Sequence, residues 1–182
     1  LNAGIFTRPN SGALGALGGG LVGDKVEAQT QRQNPQGKEV EEQRRQHERQ
    51  RRELEDAIRD FNIAIDMDGD DANAYMARGM AHVELGMFKE AIDDFDDAVR
   101  LMPDLVNALV QRAMVYSELG KTKTALRDFS TAIRMQPRNV RALAGRGQTY
   151  MDMDDYELAV VDFGAALAVE PKQVDALLGR AQ

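Results

Sequence analysis

The sequence predicts an all-α protein, a solenoid of antiparallel helix pairs. Pro103, Pro137 and Pro171 recur at a constant spacing of 34 residues, which indicates a structural repeat of that length. Hydrophobic residues make up 43% of the chain, yet aromatic residues make up only 5% and tryptophan is absent. This composition is typical of helices that pack through alanine, leucine and methionine, and it disfavours an aromatic-rich β-sandwich.

The 34-residue register aligns the second helix of four units. One position holds an aromatic residue in every unit: Phe61, Phe95, Phe129 and Phe163. Alanine stands four residues before and three residues after each of these phenylalanines. In the first helix of the three complete units and of the unit that follows them, a small residue occupies an equivalent position: Gly79, Ala113, Gly147 and Ala181. Small residues at these positions allow two helices to approach closely.

The two helices of a unit are joined by a turn. Gly86 and Gly120 stand at the turn in two units, where glycine adopts a left-handed cap conformation with little strain, and Asp154 stands there in the third. A proline ends each second helix, because it lacks the backbone N–H and restricts the residue before it. Each unit is therefore predicted to be a helical hairpin.

The run from Asn73 to Gly79, the segment from Ala91 to Phe95 and the following Pro103 together resemble the tetratricopeptide repeat family. The resemblance extends over roughly residues 54–182 and implies a right-handed superhelix. Its complete repeats would be residues 72–105, 106–139 and 140–173, with partial repeats on either side. Because the chain starts without methionine and stops within a repeat, we expect it to be part of a longer protein, with Leu177 and Leu178 covered.

Charged residues recur in the same register. Arginine precedes each small residue, and aspartate precedes each phenylalanine. We interpret both rows as structural ion pairs, because a half-buried charge needs a partner and a catalytic site would not recur in every unit. Each aspartate is expected to pair with the arginine of the following unit: Asp60 with Arg78, Asp94 with Arg112, Asp128 with Arg146, and Asp162 with Arg180.

The family resemblance implies that the first helix of each unit lines a concave groove for a peptide or protein partner. The matching positions are Asn73, Met76, Met80, Val83, Glu84, Asn107, Val110, Met114, Ser117, Glu118, Arg141, Ala144, Gln148, Met151 and Asp152. The asparagine side chains suit the backbone of an extended peptide, and the methionines suit varied apolar side chains. Alternatively, the methionines pack against the chain's own N-terminal segment or face water.

Some members of the family clamp a C-terminal carboxylate with inner lysines, but here Met76 and Ala144 stand where lysines are needed. Binding to the acidic tails of heat-shock chaperones is therefore disfavoured. We expect a scaffold or adaptor that binds a peptide or protein partner. The alternative is a permanent structural or assembly subunit of a large complex, which would be membrane-associated if the N-terminal segment is an anchor.

The N-terminal third divides into two predicted segments. Residues 38–55 consist almost entirely of Glu, Gln and Arg and predict a charged helical arm that leads into the solenoid at residues 56–182. Residues 1–37 are rich in glycine and polar residues and predict an extended segment, a candidate membrane or partner anchor, with a flexible link at residues 29–37. Within them, residues 12–23 resemble a glycine zipper, which suggests a peripheral membrane or oligomer contact; a flexible glycine linker is the alternative. The zipper resemblance favours a bacterial cell envelope location, with a membrane-associated complex in an organelle as the alternative.

Charge and motifs limit the remaining functions. Residues 1–55 carry nine basic against eight acidic residues, whereas residues 56–182 carry fourteen against twenty-two, so the repeats are acidic and disfavour nucleic acid. The acidic run from Asp66 to Asp71 lacks the glycine position and the final glutamate of a calcium loop. Neither His47 nor His82 has a nucleophile or ligand cluster in the sequence around it. We therefore expect no catalytic residue, metal or cofactor.

Overall fold

The computed structural model describes residues 35–170, and every regular element in that range is an α-helix. The helices are α1 (Pro35–Met67), α2 (Ala72–Glu84), α3 (Phe88–Leu101), α4 (Val106–Glu118), α5 (Thr122–Met135), α6 (Val140–Met151) and α7 (Tyr156–Val169). The last six form three hairpins, α2–α3, α4–α5 and α6–α7. We call α2, α4 and α6 the first helices, and α3, α5 and α7 the second helices. The predicted all-α solenoid is confirmed.

The chain divides into two compact units within the length of helix α1. The first unit ends at Arg49 and the second begins at Gln50. Up to Arg49 its side chains are mostly exposed and form ion pairs one turn apart, such as Arg45 with Glu41 at 3.0 Å. From Gln50 onward, half-buried apolar residues recur at helical spacing: Leu54, Ala57, Ile58, Phe61, Ala64 and Ile65. The second part of the helix thus has the apolar face that packing requires.

The turn inside each hairpin depends on a residue in the left-handed conformation. Gly86 and Gly120 have φ values of +72° and +69°, and Asp154 has a φ of 60°. The backbone N–H of the residue after Gly86, that of Met87, donates to the carbonyl of His82 at 2.8 Å. This bond closes the helix end in a Schellman arrangement. The glycine positions expected from the sequence therefore form the predicted turns.

The repeated phenylalanines form the core of the hairpins. Phe95 and Phe129 are completely buried, and burial of each contributes about 2–3 kcal/mol to the free energy of folding. A Cβ atom added to Gly79 would lie 2.8 Å from Cε1 of Phe95 in the same hairpin. One added to Gly145 would lie 2.5 Å from Cζ of Phe129 in the preceding hairpin. Small residues on the first helices therefore receive phenylalanine rings from both sides.

The repeated arginines and aspartates pair within each hairpin. Arg78 contacts Asp94 at 2.6 Å, Arg112 contacts Asp128 at 2.7 Å, and Arg146 contacts Asp162 at 2.7 Å. Each arginine also donates to a residue on the preceding second helix or on α1. These acceptors are Asn62 for Arg78, Asp96 for Arg112 and Ser130 for Arg146, at 2.7, 2.7 and 3.1 Å. Every arginine thus joins its own hairpin to the preceding segment.

The pairing expected from the sequence, in which each aspartate contacts the arginine of the following hairpin, is wrong. Asp94 contacts Arg78 rather than Arg112, and Asp128 contacts Arg112 rather than Arg146. Asp60 is exposed, and the contact of Arg78 with α1 is made through Asn62. Successive helical residues are rotated by about 100°, so Asp94 and Asp96 lie on opposite sides of Phe95. Asp96 faces the next hairpin, where it contacts Arg112. Arg180, the expected partner of Asp162, lies outside the described residues.

Candidate binding groove on the first helices

The first helices form the inner side of the stacked hairpins. Helix α4 contacts both α2 and α6, whereas within residues 35–170 no second helix contacts another second helix. Stacked hairpins that approach each other more closely on one side curve toward that side. The first helices therefore line the concave face, and we call the surface that they present between Asn73 and Asp152 the groove.

The groove residues expected from the sequence differ in exposure. The exposed ones are Asn73, Met80, Glu84, Asn107, Met114, Glu118, Arg141, Met151 and Asp152. Half-buried ones are Met76, Val83, Ser117 and Gln148. Val110 and Ala144 are buried, with 3% and 6% of their surface accessible. These two residues contribute to the floor beneath the groove and have little surface left for a ligand.

A depression in the groove brings residues of all three first helices together. Its lining combines five of the expected groove residues with Gln111 and Asn139: Met76, Met80, Asn107, Val110 and Arg141. The cavity holds about 130 Å³. Thioether and aliphatic groups form one part of its wall, and amides and a guanidinium form the other. Such a mixed cavity can hold an apolar side chain while its polar groups bond to the adjacent backbone.

Methionines supply most of the apolar surface of the groove. Met80, Met114 and Met151 are 42%, 38% and 40% exposed. Met76 also packs against the core cluster of Ala91, Phe95 and Val115, so it belongs partly to the core. The three exposed methionines lie on three different first helices, Met80 and Met114 at equivalent positions and Met151 one turn beyond Gln148. Each hairpin thus contributes one exposed thioether to the groove.

Ser117 has a structural contact that the sequence did not predict. Its hydroxyl lies 2.9 Å from the hydroxyl of Thr149, which donates to the carbonyl of Gly145 at 2.8 Å. Since Thr149 uses its single hydrogen on that carbonyl, Ser117 is the donor to Thr149. Thr149 is completely buried. The bond joins α4 to α6, so Ser117 holds two first helices together at the edge of the groove.

Acidic side chains lie at one edge of the groove, at the C-terminal ends of the first helices. Glu84 and Glu118 are the last residues of α2 and α4, and Asp152 follows α6 as its cap. Within residues 35–170, Glu84 and Glu118 have no ion pair, and Asp152 accepts a bond from Gln148 at 3.0 Å. Lys121, near Glu118 in the chain, lies over the ring of Tyr116. This edge is therefore negative and open.

The titratable groups with shifted pKa values lie away from the groove. Hydrogen bonds to Asp94 raise the pKa of Arg78, and bonds to Asp162 raise the pKa of Arg146. Burial raises the pKa of Tyr116. His82 is buried and its Nδ1 lies 2.8 Å from Oδ2 of Asp94, which places it in the first ion-pair cluster. These contacts keep the arginines charged and are structural.

The acidic run between α1 and α2 forms a turn and a cap. Asp68 accepts a bond from the N–H of Asp70, and Asp71 accepts bonds from the N–H groups of Asn73 and Ala74. Among residues 35–170 no three His, Cys, Asp or Glu side chains are arranged to hold a metal ion. No helix of the described part is long and apolar enough to cross a membrane. Residues 12–23, the predicted zipper, lie outside it, as do Leu177 and Leu178.

Solved structures share this arrangement of hairpins. The crystal structure of MamA matches with a TM-score of 0.62 and 26% identity, over 67% of this chain and 71% of that chain. A tetratricopeptide repeat protein from Parabacteroides merdae matches with a TM-score of 0.61 and 29% identity, over 70% of this chain and 51% of that chain. The TPR domain of Arabidopsis OM64, at 23% identity, matches in fold with a TM-score of 0.55, over 61% and 96% of the two chains.

The sequence itself also matches a known family. No curated protein matches the chain. A family model described as tetratricopeptide repeat matches residues 46–105 and 110–162, which is more than half of the 182 residues. The matched segments contain α2, α3, α5 and α6, most of α4 and the first half of α7, with Phe95, Phe129 and the three ion pairs. The chain belongs to the tetratricopeptide repeat family.

Proposed function

We propose that this protein is a scaffold or adaptor that binds a peptide or protein segment in the groove of its first helices. Repeat solenoids commonly use their extended concave surfaces for protein interaction. The observation that carries the proposal is the depression lined by residues of all three first helices, together with one exposed methionine on each of these helices. Exposed apolar surface of this kind is unfavourable in water and becomes favourable when a partner covers it.

The polar groups of the groove suit a polypeptide ligand. Asn73 and Asn107 occupy equivalent, exposed positions on α2 and α4. A carboxamide both donates and accepts, so each can bond to one peptide group of an extended chain. Methionine side chains adapt their shape to different apolar side chains, which allows the same groove to take related segments. Peptide binding therefore accounts for both kinds of residue in the groove.

Selection from a random peptide display library tests this function. Peptides selected on the wild-type chain are measured against Met114→Lys, which puts a positive charge into the groove, and against Met135→Lys, its matched control on α5. The two methionines are 38% and 40% exposed, so both variants should fold equally well. We expect Met114→Lys to weaken binding at least tenfold and Met135→Lys to leave it unchanged. Peptides that bind both variants as tightly as wild type would place the binding surface elsewhere.

A permanent structural subunit is the second candidate, because the last described helix has an apolar outer face. Val161 is 65% exposed and occupies the register position of Asp93 in α3 and Arg127 in α5. Leu158, 44% exposed, stands where α3 has Glu90. Sedimentation of the purified chain separates the two candidates. A scaffold is expected to remain monodisperse, whereas an isolated structural subunit would aggregate, and Val161→Asp would then reduce the aggregation.

A further inference from the structure

The methionine surface of the groove has a charged border whose sign identifies a class of ligand. We propose that the groove binds an extended peptide segment with basic residues at about every third position and apolar residues between them. This inference rests on the proposed function and adds the chemistry of the partner. It follows from the charge of the groove edge, from the placement of the methionines beside it, and from the spacing between first helices.

The acidic edge is unfavourable for the helices that carry it. The C-terminus of a helix has a partial negative charge, so a basic residue in the last turn is stabilising and an acidic residue there is not. The second helices α3 and α5 follow this rule, with Arg100 and Arg134 in their last turns. Among the first helices, α4 and α6 have no basic residue in the last turn, and the basic residue of α2, His82, is buried against Asp94.

The first helices instead place three acids at equivalent positions: Glu84, Glu118 and Asp152. Their charges add to those of three helix ends on the same edge. An acidic residue that lowers the stability of the first helix in every hairpin indicates a functional requirement. The opposite edge, at the N-terminal ends of the first helices, carries Asn73, Asn107 and Arg141. Asp71 caps α2 there, but its carboxylate is bonded to the N–H groups of Asn73 and Ala74. The three acids without such caps therefore lie at the C-terminal edge, which attracts positive charge.

Glu84 and Glu118 each have a methionine one helical turn before them. Met80 precedes Glu84 by four residues and Met114 precedes Glu118 by four, so each pair lies on one face of its helix. In the third hairpin the equivalent position is Gln148, which donates to Asp152 at 3.0 Å, so the pair of methionine and acid occurs in the first two hairpins. A lysine or arginine can lay its aliphatic stem on the thioether and place its charged end at the carboxylate. The same unit thus recognises both parts of a basic side chain.

The helix spacing sets the spacing of the ligand. Packed helices lie about 10 Å apart, so equivalent acids on contacting first helices are separated by about the same distance. A chain in the extended polyproline II conformation advances about 3.1 Å per residue with three residues per turn, which brings every third side chain to the next acid on the same face. One of the two residues between them then faces the methionines and the depression. An extended chain also presents its backbone to Asn73 and Asn107.

Fluorescence anisotropy with a defined probe tests the inference. The probe is a labelled twelve-residue peptide with lysine at every third position and leucine and serine between; the comparison peptide has glutamate in place of lysine. The groove variant is Glu84→Gln with Glu118→Gln. Its matched control is Glu90→Gln with Glu157→Gln, which removes two exposed acids from α3 and α7 and changes the net charge equally.

We expect the lysine peptide to bind the wild type at least tenfold more tightly than the glutamate peptide does. The groove variant should lose about fivefold in affinity, as expected for two exposed ion pairs, and the control should lose less than twofold. The difference should shrink as salt is added. Equal losses in groove variant and control would overturn the inference, because attraction would then depend only on net charge. Undetectable binding of the lysine peptide would overturn it as well.

The display selection distinguishes failure of this inference from failure of the proposed function. Peptides that lose affinity for Met114→Lys but lack basic residues would retain the groove as a binding site and overturn its preference for positive charge. Peptides insensitive to Met114→Lys would overturn both. Sedimentation tests whether a second copy of the chain occupies the groove. A concentration-dependent dimer of the wild type that Glu84→Gln with Glu118→Gln abolishes would identify a second copy as the ligand and overturn the peptide proposal.

Discussion

Arg146 contacts both carboxylate oxygens of Asp162: Nε donates to Oδ2 and Nη2 donates to Oδ1, each at 2.7 Å. The side chains are 21% and 4% exposed, so the carboxylate is buried while the guanidinium keeps partial access to water. The third donor of Arg146, Nη1, reaches Ser130 in the preceding hairpin. A planar guanidinium can make these contacts in two directions at once, which a lysine ammonium does less well.

Removal of one partner of this pair should destabilise the repeats. Arg146→Ala leaves a buried carboxylate without its counter-charge, and we expect the free energy of unfolding to fall by about 3 kcal/mol. Asp162→Ala should cost about 2 kcal/mol, because the arginine that it leaves unpaired can reach water. The double variant should be more stable than the sum of the two losses predicts, by at least about 1 kcal/mol. Urea denaturation measures these values without screening the charges.

A second cycle, with Arg146→Ala and Asp128→Ala, tests which aspartate is the partner. Asp128 contacts Arg112, so its loss and that of Arg146 should add to within about 0.5 kcal/mol. Coupling in this cycle and additivity in the first would support pairing between hairpins. The two cycles share one variant, which makes the comparison direct.

The sequence predicted the two charged rows but assigned the wrong partner, for a physical reason. Asp94 follows Arg78 by 16 residues and precedes Arg112 by 18. The 34-residue period alone therefore does not decide which of the two arginines Asp94 contacts. The rotation of Asp94 about its helix axis decides between them, and that rotation depends on how Phe95 is packed. Asn62, Asp96 and Ser130, the acceptors between segments, were missed because they share a register position but not a chemical type.

Two glycine substitutions should have opposite effects on stability. A Cβ added to Gly120 or to Gly164 would meet no atom within 4 Å, so neither change is limited by space. Gly120 has a φ of +69°, and Gly120→Ala should therefore cost about 1–2 kcal/mol. Gly164 lies inside α7, where alanine is favoured by about 0.5–1 kcal/mol. Thermal unfolding should show a lower midpoint for Gly120→Ala and a higher one for Gly164→Ala. Equal shifts would contradict this account.

The turns could be predicted because their conformation depends mainly on single residues. Glycine at positions 86 and 120 indicated a left-handed residue before any packing was known, and the register extended that prediction to Asp154. The aspartate adopts the conformation at some cost, and its Oδ1 accepts a 2.6 Å bond from the hydroxyl of Tyr156. Local chemistry and periodicity were sufficient here, whereas the ion pairs required the packed structure.

Thr149→Val should destabilise the contact between α4 and α6. The substitution keeps the volume but removes the hydroxyl that accepts from Ser117 and donates to Gly145. We expect a loss of about 1–2 kcal/mol in the free energy of unfolding, measured by urea denaturation. Ser117→Ala should cost less, because Ser117 is half-buried and water can replace it. If Thr149→Val is neutral, the bond between the helices does not contribute to stability.

No pattern in the sequence indicated this bond. Thr149 occupies the register position of Val115 and Ala81, both of which are apolar and buried. A single polar residue in an apolar row has no repeated partner, so periodicity carries no information about it. Ser117 was expected in the groove on register alone, and its bond to Thr149 became visible only in the packed helices.

Val110 and Met114 should separate stability from binding within the groove. They are one helical turn apart on α4, yet Val110 is 3% exposed and Met114 is 38% exposed. Val110→Ala should reduce the free energy of unfolding by about 2 kcal/mol, because it leaves a cavity beside Leu109 and Phe129. Met114→Ala should change it by less than about 0.5 kcal/mol.

The affinities of the same two variants for a display-selected peptide complete the comparison. Under conditions in which both variants are fully folded, we expect Met114→Ala to weaken binding and Val110→Ala to leave it nearly unchanged. That pattern would mean that the register identifies the side of the helix that faces the groove, while burial decides which of its residues a ligand contacts. The reverse pattern, with binding lost only in Val110→Ala, would mean that the ligand enters the floor and that the exposed methionines contribute little.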